Sequence, residues 1–200
     1  FFMQGTMDLF DQLYITSAVR NDGSSTFGPA DRRHNFFKFS TAWEFSKMYA
    51  TKFLNFGKFR LAYGQAGDEP NVYAIFSGYR SPSLFSVGEK VSLGLTYNGV
   101  TGYRSDGQVS NFRIRPERRH EYEIGADLSL FGGSMGLSAT MYNATNNDVI
   151  YDIDVIPSTG ADEMTANGAT IENKGVELNI DYRILDRKDI KWEMKFLSLI

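Results

Sequence analysis

The chain has 200 residues, of which 42% are hydrophobic and 22% charged, and its formal net charge is −3. It has no cysteine, which excludes disulfide scaffolds, thiolate metal sites and thiol nucleophiles. The moderate charged fraction argues against intrinsic disorder, and the mildly acidic net charge does not indicate the basic surface that binds nucleic acid. Phe (16) and Tyr (11) are over-represented, so the fold must accommodate many aromatic side chains.

Alternation of apolar and polar residues, the pattern of a β-strand with two unlike faces, dominates the chain. In one clear segment, Tyr122, Ile124 and Leu128 share a face, and Glu123 and Asp127 share the other. No window has a convincing apolar stripe at the helical period, so the chain is predicted to be all-β. About seven strands are predicted, in chain order, over 13–20, 36–47, 58–64, 121–130, 136–142, 173–184 and 190–197.

The predicted connections alternate in length along the chain. Short or medium connections are expected over 48–55, 131–134 and 185–189, and long ones over 22–35, 67–117 and 152–172. Because successive strands of an antiparallel sheet run in opposite directions, this alternation places the short turns at one end of the sheet and the long loops at the other.

A soluble β-sandwich and a membrane β-barrel both show such alternation. The predicted strands have about ten to thirteen residues, whereas strands of soluble domains usually have ~5–6. Long strands, short turns opposite long loops, and aromatic residues near the strand ends are typical of outer-membrane barrels. These features favour an antiparallel transmembrane barrel, with the sandwich as the alternative.

The face opposite the apolar one carries many charges. A narrow barrel has room only for packed side chains, whereas a wide one holds water or a plug. About seven strands are too few to close around a wide lumen, so the chain is predicted to form an open arc with two exposed edges. The charged residues on this face are Lys38, Glu44, Lys58, Arg60, Glu121, Glu123, Asp127, Glu177, Asp181 and Arg183.

No helical membrane span and no signal peptide are predicted. The longest uncharged run, 128–147, contains a Gly-Gly pair at a position that a lipid-spanning helix of about 20 residues would avoid. The chain begins at Phe1 without a basic segment and ends within the apolar run 196–200. We therefore expect residues 1–200 to be part of one larger barrel domain.

Six segments resemble motifs of the SusC/RagA family of TonB-dependent outer-membrane transporters, and they occur in that family's order. The family patterns are R-x-D-G-S-S-x-F-G, F-P-S-x-S-x-x-W, L-K-L-R-x-S-Y-G-x-x-G-N, K-P-E…E-I-G-x-D-x-x-L-F, T-x-D and N-K-G-V-E-L. The segments similar to them are, in the same order, 20–28, 37–43, 59–68, 115–131, 145–148 and 172–178.

The chain departs from these patterns at three places. Lys38 stands where the family has Pro, Asp68 stands where it has Asn, and the insert 78–108 matches no family element. Together the matches span about residues 10 to 185 and correspond to the C-terminal part of the family's barrel. They identify the barrel and leave the cargo open.

The resemblance implies a 22-stranded barrel around an N-terminal plug, energised through the TonB complex and embedded in outer-membrane lipid. It also implies a SusD-like surface lipoprotein that helps to capture oligosaccharides or peptides in a Bacteroidetes-like Gram-negative bacterium. Two alternatives are a siderophore or cobalamin receptor, which the D-G-S-S and N-K-G-V-E-L matches disfavour, and a soluble sandwich that binds glycans.

No catalytic residue, metal site or cofactor is predicted, so the chain is not expected to be an enzyme. The run Asp22-Gly23-Ser24 lacks the Lys-Ser/Thr continuation of a phosphate loop and indicates a turn with Gly at positive φ. His34 and His120 lack partners at metal-ligand spacing. Glu121 and Glu123 are two positions apart on one strand, so their side chains point in the same direction. The two catalytic carboxylates of a glycosidase instead face each other across a cleft. Glu121 and Glu123 are therefore expected to pair with Arg or Lys of a neighbouring strand.

The remaining candidates for substrate contact are aromatic residues of the connection over 67–117, which is too long for a bare loop in a compact domain. They could stack on sugar rings or contact a lipoprotein lid. The alternative is that they pack within the loop or form extended hairpins above the barrel. These residues are Tyr73, Phe76, Tyr79, Phe85, Tyr97 and Tyr103.

Overall fold

The computed structural model describes residues 1–28, 32–49, 51–80, 84–86, 89–91 and 96–200, with side chains for all of these except 84–86, 89–91, 96, 97, 101 and 104. The strands are β1 (Phe2–Leu9), β2 (Leu13–Gly23), β3 (Arg33–Trp43), β4 (Leu54–Asp68), β5 (Tyr79–Arg80), β6 (Leu84–Ser86), β7 (Glu89–Val91), β8 (Thr96–Tyr97), β9 (Val100–Thr101), β10 (Arg104–Ser105), β11 (Glu117–Leu130), β12 (Met135–Asp154), β13 (Glu163–Asp186) and β14 (Lys191–Leu199).

Eight long strands form one antiparallel sheet in the order β1-β2-β3-β4-β11-β12-β13-β14, so each pairs with the next long strand along the chain. The short strands form three two-stranded ribbons inside the connection between β4 and β11. Strands β1 and β14 are the two edges of the sheet, which is therefore open. The prediction of an all-β open arc is confirmed.

All the predicted strands are present in the eight-stranded sheet, which has one further long strand, β1, that the sequence did not predict. In β1, Met3, Met7 and Leu9 alternate with polar residues, but Gly5 interrupts the apolar set and leaves only a weak pattern. The predicted end of the strand over 36–47 is also wrong. The chain leaves the sheet after Trp43 and forms a 3₁₀ turn over Phe45–Lys47.

The alternation of connection lengths is confirmed except at 44–53, which is longer than 24–32 and 155–162 although it lies at the end with the short turns. Connections 10–12, 44–53, 131–134 and 187–190 lie at one end, which we call the short-turn end, and 24–32, 69–116 and 155–162 lie at the other, the long-loop end. The predicted loop over 152–172 is wrong because β12 and β13 continue far into it. A register shift between Asn146 and Val149, with Asp148 at φ 56°, breaks the two-residue period and hides the strand in the sequence.

The sheet has one apolar and one charged face. On the apolar face the register aligns Leu61, Ile124, Met141 and Val176 across four strands. Large side chains there are open to the surroundings: Ile124 is 56% exposed and Met141 57%. None of the helices in the described part of the chain has the length and hydropathy needed to span a bilayer.

Aromatic groups flank this apolar face at both ends. Near the short-turn end, Phe45 stacks on Phe59 with ring centroids 4.8 Å apart. Near the long-loop end, Tyr63 packs on Tyr122 at 4.7 Å, and the Tyr63 hydroxyl lies 3.1 Å from Nδ1 of His120. From His120 to Leu130 an extended strand covers about 33 Å, which at a tilt of about 40° spans the ~25 Å apolar band of an outer-membrane barrel.

Lys47 links two of the connections at the short-turn end. Its ammonium donates to the Asp11 carbonyl in the β1–β2 turn and pairs with the Glu44 carboxylate at 3.1 Å. The hydrogen bond with Glu44 raises the pKa of the Lys47 ammonium above its ordinary value. Lys47 therefore ties the β1–β2 turn to the β3–β4 connection.

A close approach at Gly57 gives a test of this packing. A Cβ added to Gly57 would lie 2.4 Å from Cζ of Phe45, whereas one added to Gly64 on the same strand would meet nothing within 4 Å. We expect Gly57→Ala to destabilise the full-length protein by about 1–2 kcal/mol, because the Phe45 ring must move. Gly64→Ala is expected to be neutral or slightly stabilising. Equal thermal unfolding of the two variants would contradict this account.

Candidate functional site

An ion-pair cluster lies on the charged face between β4, β11 and β12. The Arg60 guanidinium contacts Glu123 at 3.2 Å and Asp127 at 2.9 Å, and it donates to the Thr140 hydroxyl at 3.1 Å. Asp127 also pairs with Lys58 at 3.2 Å. Each charged member therefore has an oppositely charged partner on the neighbouring strand, although Arg60 Nε makes no hydrogen bond of its own, and the cluster is that of a structural ion-pair network.

Glycine at position 125 makes room for this cluster. Gly125 lies directly across from Arg60 in the β4–β11 register. A Cβ there would lie 2.8 Å from Nη2 of Arg60, so the guanidinium rests on the bare backbone. This placement lets Arg60 reach both Glu123 and Asp127, which flank Gly125 on β11.

The predicted pairing of the two glutamates is confirmed for one and wrong for the other. Glu123 pairs with Arg60 of the neighbouring strand, as predicted. Glu121 pairs at 2.9 Å with Arg119 of its own strand, because the long Arg side chain folds along the strand to the next position on the same face. Both carboxylates are engaged with arginines and lie on one strand face, which does not fit a pair of catalytic acids.

The turn predicted at Asp22–Ser24 begins later than expected. Asp22 and Gly23 lie in β2, opposite His34 and Arg33, so Gly23 is in the sheet and does not take positive φ. The turn itself starts at Ser24, whose Oγ accepts the backbone N–H of Thr26 at 3.2 Å. Among the described residues, no group of three His, Asp or Glu is placed to hold a metal ion.

At the long-loop end, a small apolar core joins three separate segments. Phe27 of the β2–β3 connection packs with Ile75 and Ile114 of the 69–116 connection, and Ile150 of β12 packs against them. Ile114 is 0% exposed and Ile75 is 1% exposed, which makes them the most deeply buried large side chains described. We call these four residues the loop core.

Hydrogen bonds attach the 69–116 connection to the β12–β13 hairpin around the loop core. Asn167 donates to the Arg115 carbonyl and accepts the Arg115 N–H, both at 2.8 Å. The amide nitrogen of Gln108 donates to the Ala74 carbonyl and to the Thr165 hydroxyl, each at 2.9 Å. The described parts of the connection that these bonds join, around residues 74, 108 and 115, are therefore packed against the hairpin rather than forming a bare loop.

A cleft of about 550 Å³ lies between this part of the connection and the hairpin. One wall is formed by the segment from Asn71 to Gly78, and the other by residues 150–152 of β12 and 163–165 of β13. Asp106 and Gln108 complete the lining. The volume lies within the ~300–1,000 Å³ typical of small-molecule sites.

The structure separates the six aromatic residues predicted for substrate contact. Tyr73 and Phe76 line the cleft, and Phe76 packs edge-on against Phe112 with centroids 5.4 Å apart. Tyr79 is 81% exposed and Tyr103 is 67% exposed, and neither lines the cleft. Phe85 and Tyr97 lie on short ribbon strands, and their side chains fall outside the described residues.

Sequence reasoning missed the polar half of the cleft. Asp152 and Glu163 lie in a stretch predicted to be loop, far along the chain from Tyr73. Contacts between segments distant in the sequence bring them together, among them the bond from the Val109 N–H to the Glu163 carbonyl at 2.9 Å. The sequence contains no periodic signal for such a contact.

The family described as "TonB dependent receptor-like, beta-barrel" matches residues 1–200. The chain belongs to this family. It is 28% identical over 192 residues to TonB-dependent receptor P39 of Formosa agariphila, covering 94% of this chain and 17% of that protein. It is 23% identical over 195 residues to TonB-dependent receptor SusC of Bacteroides thetaiotaomicron, covering 94% of this chain and 19% of SusC. The chain thus spans about a fifth of the length of these curated relatives.

Solved structures agree on the fold. The sheet matches a chain of the RagAB peptide importer in its closed-closed state with a TM-score of 0.81 and 18% identity, covering all of this chain and 22% of the other. The siderophore receptor PirA of Pseudomonas aeruginosa matches with a TM-score of 0.60 and 14% identity, covering all of this chain and 33% of PirA. The resemblance to SusC/RagA barrels is confirmed, and the fold is part of a barrel wall rather than a sandwich.

Proposed function

We propose that the protein containing this chain imports nutrients, oligosaccharides or peptides, across the outer membrane of a Bacteroidetes-like bacterium in a TonB-dependent manner. The observation that carries the proposal is a two-faced open sheet whose whole length matches the TonB-dependent receptor barrel. A curated relative over 94% of the chain is the TonB-dependent receptor SusC, and the sheet matches a chain of the RagAB peptide importer; both support the proposal.

In this proposal each face of the sheet has a separate role. The apolar face, with its flanking aromatic groups, lies in outer-membrane lipid, where exposed Ile124 and Met141 have favourable surroundings. The charged face lines the wet lumen of a large barrel, where partly solvated ion pairs such as Arg60–Asp127 are tolerated. The chain forms part of the wall past which cargo moves.

The partners follow from the same assignment. A SusD-like surface lipoprotein would contact the long-loop end, where the connection between β4 and β11 begins and ends. The TonB complex would act through the N-terminal plug region of the whole protein. The family contains receptors rather than enzymes, and the paired carboxylates of the charged face are engaged with arginines, so we propose transport without catalysis.

Deletion of the full-length gene tests this function. We expect the deletion strain to lose growth on a particular oligosaccharide or peptide as sole nutrient. We expect the wild-type gene to restore growth and a gene lacking the TonB-contacting segment to fail. Normal growth on every oligosaccharide and peptide, combined with impaired uptake of an iron–siderophore, would replace the proposal by the siderophore-receptor alternative.

A further inference from the structure

A groove of about 440 Å³ crosses the apolar face of the sheet, on the side away from the lumen. One part is lined by the apolar row that the register aligns across four strands, Leu61, Ile124, Met141 and Val176. The other part is lined by the next row on the same face, Tyr122, Asn143 and Lys174. We propose that the groove binds a phosphorylated lipid of the outer leaflet, with an acyl chain on the apolar row and the phosphate at Tyr122 and Lys174. The inference rests on the placement of this face in lipid and not on the cargo.

The boundary between apolar and polar side chains on this face passes through the groove. On β13 the same-face positions from Val176 to Ile180 are apolar, and the series ends at Lys174. The next row toward the long-loop end is polar on β11, β12 and β13, with His120, Thr145 and Glu172. Because the long loops of an outer-membrane barrel are extracellular, Lys174 lies where the acyl chains of the outer leaflet give way to the headgroups.

The polar row presents hydrogen-bond donors that the described part of the chain does not use. The Lys174 ammonium lies 3.6 Å from the Glu172 carboxylate, which is beyond hydrogen-bond distance, so its three N–H donors remain available. The Tyr122 ring packs on Tyr63, but its hydroxyl makes no hydrogen bond to any described residue. An ammonium and a hydroxyl at one end of an apolar groove suit a ligand with several acceptor oxygens joined to an apolar chain, as in a phosphorylated lipid.

Glu172 is the charge that opposes an anionic headgroup at this site. Its carboxylate accepts the Asn143 amide at 3.1 Å, which holds it beside Lys174. Both side chains of the Glu172–Lys174 pair are exposed, and an exposed pair of this kind is worth little, so a phosphate can replace Glu172 as the partner of the ammonium. A second cation, Arg118, is exposed on the same face of β11, four residues nearer the long-loop end. Each such cation adds to the attraction for an anionic headgroup.

Photo-cross-linking of the full-length receptor in detergent tests the inference. The probe is lipid A with a diazirine in one acyl chain, used well below saturation, and mass spectrometry of the digested receptor locates the adducts. We expect adducts within the segments 122–124, 141–143 and 174–176 that line the groove.

Two substitutions beside the groove should change the adduct yield in opposite directions. Lys174→Gln should lower the yield about fivefold, the loss expected for one basic residue at a membrane surface. Glu172→Gln should raise it, because the competing carboxylate is removed. Lys38→Gln is the matched control and should leave the yield unchanged. It makes the same charge change in the row of Gly64 and Glu121, on the charged face.

Two further probes separate a lipid from a free anion. The same photoreactive lipid without its phosphates should give a markedly lower yield in the groove, and millimolar inorganic phosphate should not reduce the yield from the phosphorylated lipid. The inference is overturned if the groove segments carry no adduct or if the two lipids react equally. It is also overturned if Lys174→Gln behaves as Lys38→Gln, or if inorganic phosphate abolishes the adducts, which would assign the polar row to a free ion.

Growth assays separate this failure from failure of the proposed function. If deletion of the gene abolishes growth on an oligosaccharide or peptide but the groove gives no phosphate-dependent adduct, the function stands and the lipid site is wrong. If the deletion strain grows normally on all of them while the adducts form as expected, the lipid site stands and the proposed function is wrong.

Discussion

Arg60→Met is expected to destabilise the full-length barrel more than any other single substitution on the charged face. Arg60 neutralises both Glu123 and Asp127, and its side chain is only 31% exposed. Removing it leaves the Glu123 carboxylate without its cation and places two like charges on one strand face. We expect a loss of about 2–3 kcal/mol, below the full cost of breaking a buried pair because water reaches the lumen.

The measurement is the temperature at which the purified full-length receptor loses its folded, SDS-resistant form. Arg60→Lys should fall between wild type and Arg60→Met, because an ammonium can keep one carboxylate partner but cannot reproduce the guanidinium fork.

Arg183→Met is the matched control: Arg183 also pairs with two carboxylates, at 3.1 Å and 3.5 Å, but its side chain is 42% exposed. Its loss should cost less than about 1 kcal/mol. Equal losses for Arg60→Met and Arg183→Met would show that the cluster has no special role.

Much of the sheet was predictable because its two faces meet different surroundings. Where one face is apolar and the other charged, as around Ile124 and Asp127, the period of two is strong and the strand is found. The pattern fails where a glycine interrupts the apolar set, as Gly5 does in β1, or where a bulge shifts the register. That is why β1 and the outer parts of β12 and β13, beyond Asn146, were missed.

The cluster around Arg60 was only half predictable. The sequence places Lys58, Arg60, Glu123 and Asp127 on one face, but it does not contain the register that sets Arg60 across from Gly125. Register depends on the pairing of β4 with β11, which the 69–116 connection separates in sequence. The cleft was less predictable still. It depends on hydrogen bonds from side chains to backbone, such as those of Asn167 to Arg115, and these produce no repeating residue pattern in the sequence.

The loop core gives the second large expected effect, because it decides whether the long-loop end is one rigid unit. Ile114→Ala should release the 69–116 connection from the β12–β13 hairpin, since Ile114 is 0% exposed and belongs to a core built from three parts of the chain. Truncating a fully buried Ile costs about 2–4 kcal/mol. Because the loop core is small, we expect this loss of free energy to favour local opening of the 69–116 connection rather than unfolding of the whole barrel.

Hydrogen exchange of the full-length receptor measures this opening. Amides in 69–116 that are protected in the wild type should exchange about 30- to 700-fold faster in Ile114→Ala, whereas amides of β11 should be unchanged. Ile156→Ala is the control, because Ile156 lies at the same end of the sheet but is 73% exposed. If exchange in β11 rises together with the connection, the loop core is part of the barrel's global stability and not a separate unit. If 69–116 exchanges as in the wild type, the hydrogen bonds of Asn167 and Gln108 hold the connection without the apolar core, and the cleft depends on them alone.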